Sequence, residues 1–227
     1  MYDKKEVILK AENIIKIYDK LQVLNLEKFK LYKGNFHLLL GPNGSGKTTL
    51  LKILSLIDRE FKGKLYYKGK DIKNYSNLIQ LRRKFSVIWQ NPYFFKGSTA
   101  HNIILPLKLR NIKKEHRKRK LNTLAKKLEI SELLSRKCNE LSGGERQKVS
   151  IARALISEPE ILFIDEPTNN LDFENRQYFH DLFLELAKKN ITILLISHDE
   201  EVFLKKADKI TYLKNGNIKK EEYRSII

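Results

Sequence analysis

The sequence has only one cysteine, Cys138, among its 227 residues. A disulfide or a metal site of paired thiols within the chain is therefore excluded, and a reducing compartment fits this composition. Long hydrophobic runs are also missing, since the longest covers about six residues (191–196) and a membrane-spanning helix needs about 20. The first residues, MYDKKEVILK, lack the apolar core of a signal peptide. We therefore expect a cytoplasmic protein.

Acidic residues are scarce relative to basic ones. The 45 lysine and arginine residues outnumber the 27 acidic residues, and the formal net charge is +18. Segment 108–127 contains ten of the basic residues and a single acid, Glu115. A basic surface is typical of proteins that bind nucleic acid, anionic lipid or an acidic partner, although a lysine-rich proteome produces the same excess. We predict a solvated helical face here and expect no nucleic-acid ligand.

Apolar-rich short runs alternate with helical patterns along the chain, which predicts an α/β fold with a mostly parallel sheet. The predicted strands are 7–17, 21–31, 36–40, 64–68, 85–89, 161–164, 191–196 and 209–213. The predicted helices are 47–56, 145–156, 174–189 and 199–206. The first two strands alternate in parts and favour an antiparallel flank. Asn215-Gly216 is a hairpin turn signal.

We interpret residues 1–227 as a single domain with one insertion. The core comprises 1–90 and 141–227. The segment between them, about 91–140, is polar and helical in pattern and contains no convincing strand, which indicates a helical subdomain.

A glycine-rich loop follows the third predicted strand and precedes a helix. It reads Gly41, Pro42, Asn43, Gly44, Ser45, Gly46, Lys47 and Thr48. This spacing in this context is that of a P-loop, in which glycines let backbone N–H groups converge on phosphate oxygens at a helix N-terminus. We expect Lys47 to reach the β- and γ-phosphates and Thr48 to coordinate Mg²⁺. The fold is thus predicted to have a P-loop NTPase core.

The apolar strand at 161–164 ends in two carboxylates, Asp165 and Glu166. Alone, this segment could be a strand that runs into an acidic turn. Beside a P-loop, Asp165 is placed to hold Mg²⁺, directly or through water. Glu166 points a different way and can polarise the attacking water as a general base. Asp172 and His198 are the next candidates for that base.

A second pair of glycines precedes a strong helical pattern. Ser142 lies three residues before Glu145, which is the spacing of a capping box. Gly143 and Gly144 also form a second potential anion site at a helix N-terminus. The sequence around Ser142 therefore fits both a capped helix start and an anion site.

With the segment Leu141 to Gln147, the sequence resembles the ABC ATPase family over nearly all of its length. That segment resembles the family's signature motif, which contacts the γ-phosphate of ATP bound to the opposite subunit. The resemblance implies that Ser142, Gly143 and Gly144 complete the partner's nucleotide site. It also places Thr49, which follows the P-loop, among the nucleotide-binding residues. Lys148 stands where many relatives have arginine, which we do not expect to abolish activity.

The resemblance assigns roles to four further positions. Gln90 matches a glutamine that senses the metal and the γ-phosphate and couples to the membrane partner. His198 matches the switch histidine at the γ-phosphate, and Tyr18 matches the aromatic residue that stacks on adenine. Segment 169–172 is similar to the loop at the dimer seam.

Several classes of ABC machine fit these motifs. The chain has a single P-loop, a single signature and no long coiled-coil insertion, which favours a separate ATPase subunit of a transporter. A soluble switch ATPase that acts on nucleic acid or ribosomes is the alternative, supported only by the basic charge. The stretch from Asn91 to Arg110 resembles importers of oxyanions or amino acids, with tungstate or molybdate favoured. Phe94 and Phe95 are expected either to contact the membrane subunit or to pack internally.

The implied mechanism uses ATP and Mg²⁺ in a head-to-tail dimer of two ATPase subunits. ATP closes the dimer and hydrolysis reopens it. The other implied partners are separate transmembrane permease subunits and, through them, an extracytoplasmic solute-binding protein. The protein is then peripheral on the inner face of the cell membrane.

Overall fold

The computed structural model describes residues 6–167, 173–197 and 203–224. Its strands are β1 (Val7–Tyr18), β2 (Leu21–Tyr32), β3 (Phe36–Leu40), β4 (Lys62–Tyr67), β5 (Lys70–Asp71), β6 (Phe85–Ile88), β7 (Ile161–Asp165), β8 (Thr192–Ile196), β9 (Lys209–Lys214) and β10 (Asn217–Tyr223). Its α-helices are α1 (Lys47–Leu54), α2 (Leu78–Arg82), α3 (Thr99–Leu109), α4 (Lys114–Lys127), α5 (Gly143–Leu155) and α6 (Phe173–Lys188).

Two sheets organise these strands. Strands β2, β1, β4 and β5 form an antiparallel sheet in that order, so the predicted antiparallel flank is confirmed. The other sheet has the order β10-β9-β3-β8-β7-β6, in which all neighbours are parallel except β10 and β9. The predicted α/β class with a mostly parallel sheet is therefore confirmed.

The parallel sheet separates two hydrophobic clusters. Strand β7 is buried along its whole length, and its side chains alternate between the two faces. Leu162 and Ile164 face a cluster that includes residues of α3, α4, α5 and α6. Ile161 and Phe163 face a cluster shared with α1 and the antiparallel sheet. Burial on both faces explains why this strand has an uninterrupted apolar sequence rather than an alternating one.

Between β6 and α5 the described structure consists of helices, short 3₁₀ turns and loops. Helices α3 and α4 occupy about half of the segment that was expected to be helical, and α3 packs against α5. Ser98 caps α3 by accepting a hydrogen bond from the His101 N–H. Among the described residues, no helix has the length and apolarity required to cross a membrane.

The short strand β5 was not predicted, and neither were helix α2 and strand β10. Helix α2 has only five residues and begins after Asn77, whose side chain accepts a hydrogen bond from the Gln80 N–H. Strand β10 is rich in charged residues and is placed by its pairing with β9 rather than by an apolar pattern. The predicted strand 85–89 ends one residue earlier, at Ile88. Half of the predicted helix 199–206, residues 199–202, lies outside the described residues.

Candidate functional site

The predicted site residues follow neighbouring strands of the parallel sheet. The glycine-rich loop follows β3, Gln90 lies two residues past β6, and Asp165 ends β7. Parallel strands direct their carboxyl ends to the same edge, where α/β proteins bind ligands. The fold therefore brings the loop, Gln90, Asp165 and Glu166 to one edge. His198 follows β8 but lies outside the described residues, as does segment 169–172.

The glycine-rich loop is held by close backbone packing on both sides. Gly41 has φ 150°, and a β-carbon there would lie 2.0 Å from the Leu213 carbonyl oxygen on β9. Gly46 has φ 101°, and a β-carbon there would lie 2.7 Å from Leu24 Cδ2 on β2. Only glycine allows both the conformation and the approach. The loop is thus wedged between the antiparallel sheet and the β9–β10 hairpin.

The side chain of Lys47 is folded over this loop. Its Nζ donates hydrogen bonds to the carbonyl oxygens of Gly41 at 2.7 Å and Pro42 at 3.0 Å. Burial lowers the pKa of Lys47, while the carboxylates of Glu166 and Asp165 oppose that shift. The ammonium group is therefore held at the loop in a partly desolvated position, where a phosphate oxygen would be an ideal additional acceptor.

Thr48 and Asp165 meet between α1 and β7. The Thr48 hydroxyl donates to Asp165 Oδ2 at 3.0 Å, which joins the first turn of the helix to the end of the strand. Burial raises the pKa of Asp165 and the neighbouring Glu166 adds to the rise, whereas the Thr48 hydrogen bond and Lys47 oppose it. A hydroxyl and a carboxylate at this separation are oxygen donors of the kind that Mg²⁺ prefers.

Glu166 has a left-handed backbone, with φ 45°. Its N–H donates to the Ile196 carbonyl oxygen at 2.9 Å, which fixes this residue against the end of β8. Positive φ is uncommon for a non-glycine residue and turns the side chain away from the direction it would have in a continuing strand. Glu166 is half-buried. The remaining loop residues differ in exposure: Thr49 is half-buried, and Pro42, Asn43 and Gly44 are exposed.

Tyr18 ends β1 with 40% of its side chain exposed. Its hydroxyl donates to Asp58 Oδ2 at 2.6 Å. The hydrogen bond to Asp58, with a smaller contribution from burial, raises the pKa of Tyr18 to about 12. The phenol therefore stays neutral at physiological pH.

Ser142 caps α5 as the capping-box spacing indicated. Its hydroxyl accepts the Glu145 N–H at 3.3 Å, and Glu145 Oε2 accepts the Ser142 N–H at 2.7 Å. Ser142 and Gly143 are exposed and Gly144 is half-buried. A β-carbon on Gly143 would meet no heavy atom within 4 Å. This helix start is thus open to the surroundings of the chain.

Sequence reasoning missed two sets of supporting residues. The Gly216 N–H donates to the Ser45 carbonyl oxygen at 3.0 Å, so the β9–β10 turn supports the glycine-rich loop. The turn itself was recognised from Asn215-Gly216, but its contact was not. Lys16 and Asp58 flank Tyr18. Lys16 and Tyr18 are two residues apart on one strand and so share a face. This spacing is the sequence signal that could have identified Lys16 as a neighbour of Tyr18.

Phe94 and Phe95 differ in environment. Phe94 packs against the hydrophobic cluster, with the guanidinium groups of Arg146 and Arg153 at 5.0 and 4.9 Å from its ring centroid. Internal packing is therefore the environment of Phe94. Phe95 is 50% exposed and lines a groove of about 760 Å³ with Tyr93, which is 72% exposed.

Comparison with known proteins agrees with this geometry. Residues 24–169 match the ABC transporter family model. The lipoprotein-releasing system ATP-binding protein of Aquifex aeolicus is 41% identical over 86% of this chain and 89% of its own length. The tungstate uptake system ATP-binding protein of Peptoclostridium acidaminophilum is 36% identical over 92% and 95%.

Solved structures give the same result. A bacterial ABC transporter cassette, solved as a dimer, superposes with a TM-score of 0.85 at 28% identity and covers 96% of this chain and 100% of its own. A Clostridium perfringens protein that is part of an ABC transporter complex has a TM-score of 0.85 at 25% identity, over 96% and 89%. The chain belongs to the ABC transporter family. It is an ATP-binding subunit of a transporter and an ATPase.

Proposed function

We propose that this chain binds ATP with Mg²⁺ at the carboxyl edge of the parallel sheet and hydrolyses it to power an importer. The observation that carries the proposal is the meeting of Lys47, Thr48 and Asp165 at the glycine-rich loop. The loop and Lys47 would hold the phosphates, and Thr48 and Asp165 would hold the metal. When bound, Mg²⁺ neutralises charge on the transferred phosphoryl group.

Glu166 is our candidate for the general base. It follows the metal-binding Asp165 directly, and its left-handed backbone orients it differently from the strand residues. A carboxylate beside the γ-phosphate can accept the proton of the attacking water. Gln90 would sense the metal and γ-phosphate from the end of β6, and His198 would contact the γ-phosphate from the end of β8. Tyr18 would stack on adenine.

We further propose that two copies pair head to tail, so that Ser142, Gly143 and Gly144 of one copy complete the nucleotide site of the other. The self-capped start of α5 supports this arrangement, because Ser142 and Gly143 are exposed and a β-carbon on Gly143 would meet no heavy atom within 4 Å. ATP held only in the closed dimer would drive closure, and hydrolysis would release it. A shift from 1:99 to 99:1 needs about 5.5 kcal/mol of differential binding.

The groove lined by Tyr93 and Phe95 is our candidate for the permease contact. Ile79, Leu109 and Phe95 are large apolar side chains that line it and remain exposed, which is typical of an interaction site. Arg83 and Arg110 also line it and favour a partner segment with acidic residues. A permease helix in this groove would hold the ATPase on the inner face of the membrane.

The transported solute is proposed to be a small oxyanion, with tungstate or molybdate preferred over an amino acid. The stretch from Asn91 to Arg110 and the similarity to a tungstate uptake ATPase support import. An extracytoplasmic solute-binding protein would deliver the anion to the permease. Cells that encode Glu166→Gln should lose uptake of tungstate or molybdate. Unchanged uptake would contradict the solute but leave the ATPase assignment intact.

The alternative of a switch ATPase on nucleic acid makes an opposite prediction about the basic segment 108–127. Binding to several phosphates gives a steep loss of affinity with salt. We expect no tight, salt-sensitive binding of DNA or RNA at physiological salt. Purification from membranes should yield an integral membrane protein rather than RNA or DNA.

The decisive test of the catalytic proposal is Glu166→Gln. This variant should retain ATP binding, while steady-state hydrolysis falls by roughly 10²–10⁴, the usual effect of losing a general base. ATP-dependent dimers should persist on gel filtration. Glu158→Gln is the matched control, because Glu158 also has positive φ, at 51°, but is an exposed partner of Lys120. Normal turnover by Glu166→Gln would place the base elsewhere.

A further inference from the structure

Tyr18 contacts an ion pair between Lys16 and Asp58, and neither of these residues has been given a role so far. Lys16 is almost completely buried, with 3% of its surface exposed. Its Nζ lies 2.9 Å from Asp58 Oδ2 and donates to the Glu60 carbonyl oxygen at 2.5 Å. A lysine is rarely buried to this extent unless it is paired. Lys16 and Asp58 therefore form a fixed structural unit, which we call the Tyr18 anchor.

The anchor contacts Tyr18 at two points. Asp58 accepts the phenolic hydrogen bond at 2.6 Å, and the Lys16 ammonium group lies 4.5 Å from the ring centroid. The hydrogen bond thus fixes the hydroxyl end of the side chain, and the Lys16 ammonium group covers one face of the ring. The 40% of the side chain that remains exposed is available to a second flat group. These contacts restrict the ring to one orientation.

The anchor is also joined to the helix that begins with Lys47. The N–H groups of Ile57 and Asp58 both donate to the Lys52 carbonyl oxygen, at 2.9 and 3.0 Å, in the last turns of α1. Asp58 is thereby fixed to the C-terminal end of α1, whose N-terminal end carries the phosphate loop. Helix α1 therefore connects Lys47, which is expected at the phosphates, with the anchor of Tyr18, which is expected at adenine.

We propose that Lys16 and Asp58 are positioning residues that hold Tyr18 for stacking on adenine, and so determine how strongly the site prefers ATP over a triphosphate without a base. The inference rests on the proposed role of Tyr18 in the nucleotide site. Base stacking on an aromatic side chain contributes usefully to binding only when the ring is already oriented, because ordering a free ring costs entropy. Hydrolysis itself does not require the anchor.

The first test is Tyr18→Phe, which keeps the ring and removes its hydrogen bond to Asp58. Affinities for ATP and for inorganic tripolyphosphate, both with Mg²⁺, are measured by calorimetry. We expect ATP affinity to fall by roughly threefold to tenfold, since stacking is worth about that much or more per base. Tripolyphosphate affinity and kcat at saturating ATP should change by less than about twofold, while KM for ATP rises.

Tyr66→Phe is the matched control. Tyr66 also lies on the antiparallel sheet with a lysine, Lys10, 4.4 Å from its ring centroid, and Lys10 pairs with Glu12. This second cluster repeats the chemistry of the anchor at a position without an assigned role. Tyr66→Phe should leave both affinities unchanged. An equal loss of ATP affinity in Tyr66→Phe and Tyr18→Phe would overturn the proposal.

Asp58→Asn is the stronger variant, with Glu12→Gln as its control. Asp58→Asn should reduce ATP affinity by about tenfold or more and spare tripolyphosphate. An unchanged ratio of the two affinities in both Tyr18→Phe and Asp58→Asn overturns the anchor. If Asp58→Asn fails to fold, Tyr18→Phe decides, because it leaves the buried Lys16–Asp58 pair intact.

Tyr18→Ala separates this inference from the function on which it rests. The ratio of ATP affinity to tripolyphosphate affinity could fall in Tyr18→Ala and in neither of the other two variants. That result would support the contact of Tyr18 with adenine and reject the positioning role of Lys16 and Asp58. An unchanged ratio in Tyr18→Ala would reject the adenine site itself, whatever the anchor variants do. A lowered ratio in all three variants supports the anchor.

Discussion

Two helices of this protein begin beside glycines, and they begin in different ways. Helix α1 starts after Gly46, whose backbone is left-handed, and no side chain caps its first turn. Helix α5 starts after Ser142, which forms a complete capping box with Glu145. The first four N–H groups of a helix need partners from outside it. Helix α5 supplies part of its own cap, whereas the start of α1 is built to receive an external acceptor.

The surroundings of the two helix starts differ as well. Gly41 and Gly46 approach β9 and β2 so closely that a β-carbon would collide with them. Nothing lies within 4 Å of a β-carbon placed on Gly143. The phosphate loop is positioned by close contacts within its own chain, whereas the start of α5 is open and can contact a ligand held by a second copy. The contrast supports our proposal of a nucleotide site shared by two copies.

The largest expected effect comes from damaging each helix start separately. Lys47→Ala and Ser142→Arg should each reduce ATP turnover by about 10² or more, because each removes a preorganised contact to phosphate or blocks it. A mixture of the two variants should regain activity. One site of the mixed dimer then contains both lesions, and the other has an intact phosphate loop and an intact signature.

Ser131→Arg is the control for the mixing experiment, since it introduces the same charge at another exposed serine. This variant should hydrolyse ATP normally. Loss of the Ser142 cap alone costs about 0.5–2 kcal/mol of stability, so Ser142→Arg should remain folded. Normal turnover by Ser142→Arg would mean that Ser142 only caps α5. Failure to recover in a mixture with verified heterodimers would contradict two independent shared sites.

A moderate effect is expected where the β9–β10 turn supports α1. Gly216 and Gly69 have similar left-handed backbones, with φ 71° and 77°. A β-carbon at Gly216 would lie 2.4 Å from the Val23 carbonyl oxygen, whereas Gly69 faces open space. The left-handed backbone alone should cost about 1–2 kcal/mol of stability for alanine at either position, and Gly216→Ala should cost more because of the collision with Val23. Only Gly216→Ala should also weaken ATP binding, by about tenfold, because the displaced turn carries Ser45 with it.

Thermal denaturation and ATP titration of both alanine variants separate the two contributions. A loss of ATP affinity in Gly216→Ala alone, measured where both variants are fully folded, would show that the turn positions the loop. Equal ATP affinities in the two variants would show that the contact of Gly216 with Ser45 does not position the phosphate loop for ATP binding.

The smallest effect concerns the self-capped start of α5. The N–H of Ser142, followed by Arg136, lowers the pKa of Glu145 despite partial burial. The carboxylate therefore stabilises the folded state above its unfolded pKa of 4.5, and this contribution is lost as the pH falls through the lowered folded pKa. Glu145→Gln should cost about 0.3–1 kcal/mol at pH 7 and progressively less in acid.

Urea denaturation across that pH range measures this difference. Glu115→Gln, at an exposed acid in the first turn of α4, is the control for removing one charge. A Glu145→Gln penalty that stayed constant with pH would show that the charge of Glu145 does not contribute. Helix α1 has no acid in its first turn, so the comparison with α5 predicts such pH dependence at only one of the two helix starts.

The two helix starts also differ in what could be predicted. The glycine spacing of the phosphate loop predicted a strand, a loop and a helix, and these occur as β3, residues 41–46 and α1. The capping box of Ser142 and Glu145 was likewise predicted and is present. Both signals are local, because they depend on backbone conformation and on hydrogen bonds that span a few residues. The roles of these residues in binding and catalysis stay predictions.

Strand β10 and the Tyr18 anchor show where local signals fail. The sequence of β10 is mostly polar, and its position depends on pairing with β9. Lys16 and Asp58 are 42 residues apart, and nothing near either residue indicates that they meet. A charged side chain in a sequence is normally interpreted as exposed. Only the packing of β1 against the segment that follows α1 buries Lys16 and provides its carboxylate.

The sequence by itself determined the α/β class, the phosphate loop, the acidic strand end and the capped start of α5, because each depends on the period or spacing of neighbouring residues. The tertiary structure alone decided which distant residues support them: Gly216 under the loop and Asp58 at the hydroxyl of Tyr18. These contacts arise because strands far apart in sequence become neighbours in a sheet, and the free energy of burying their apolar faces fixes the register.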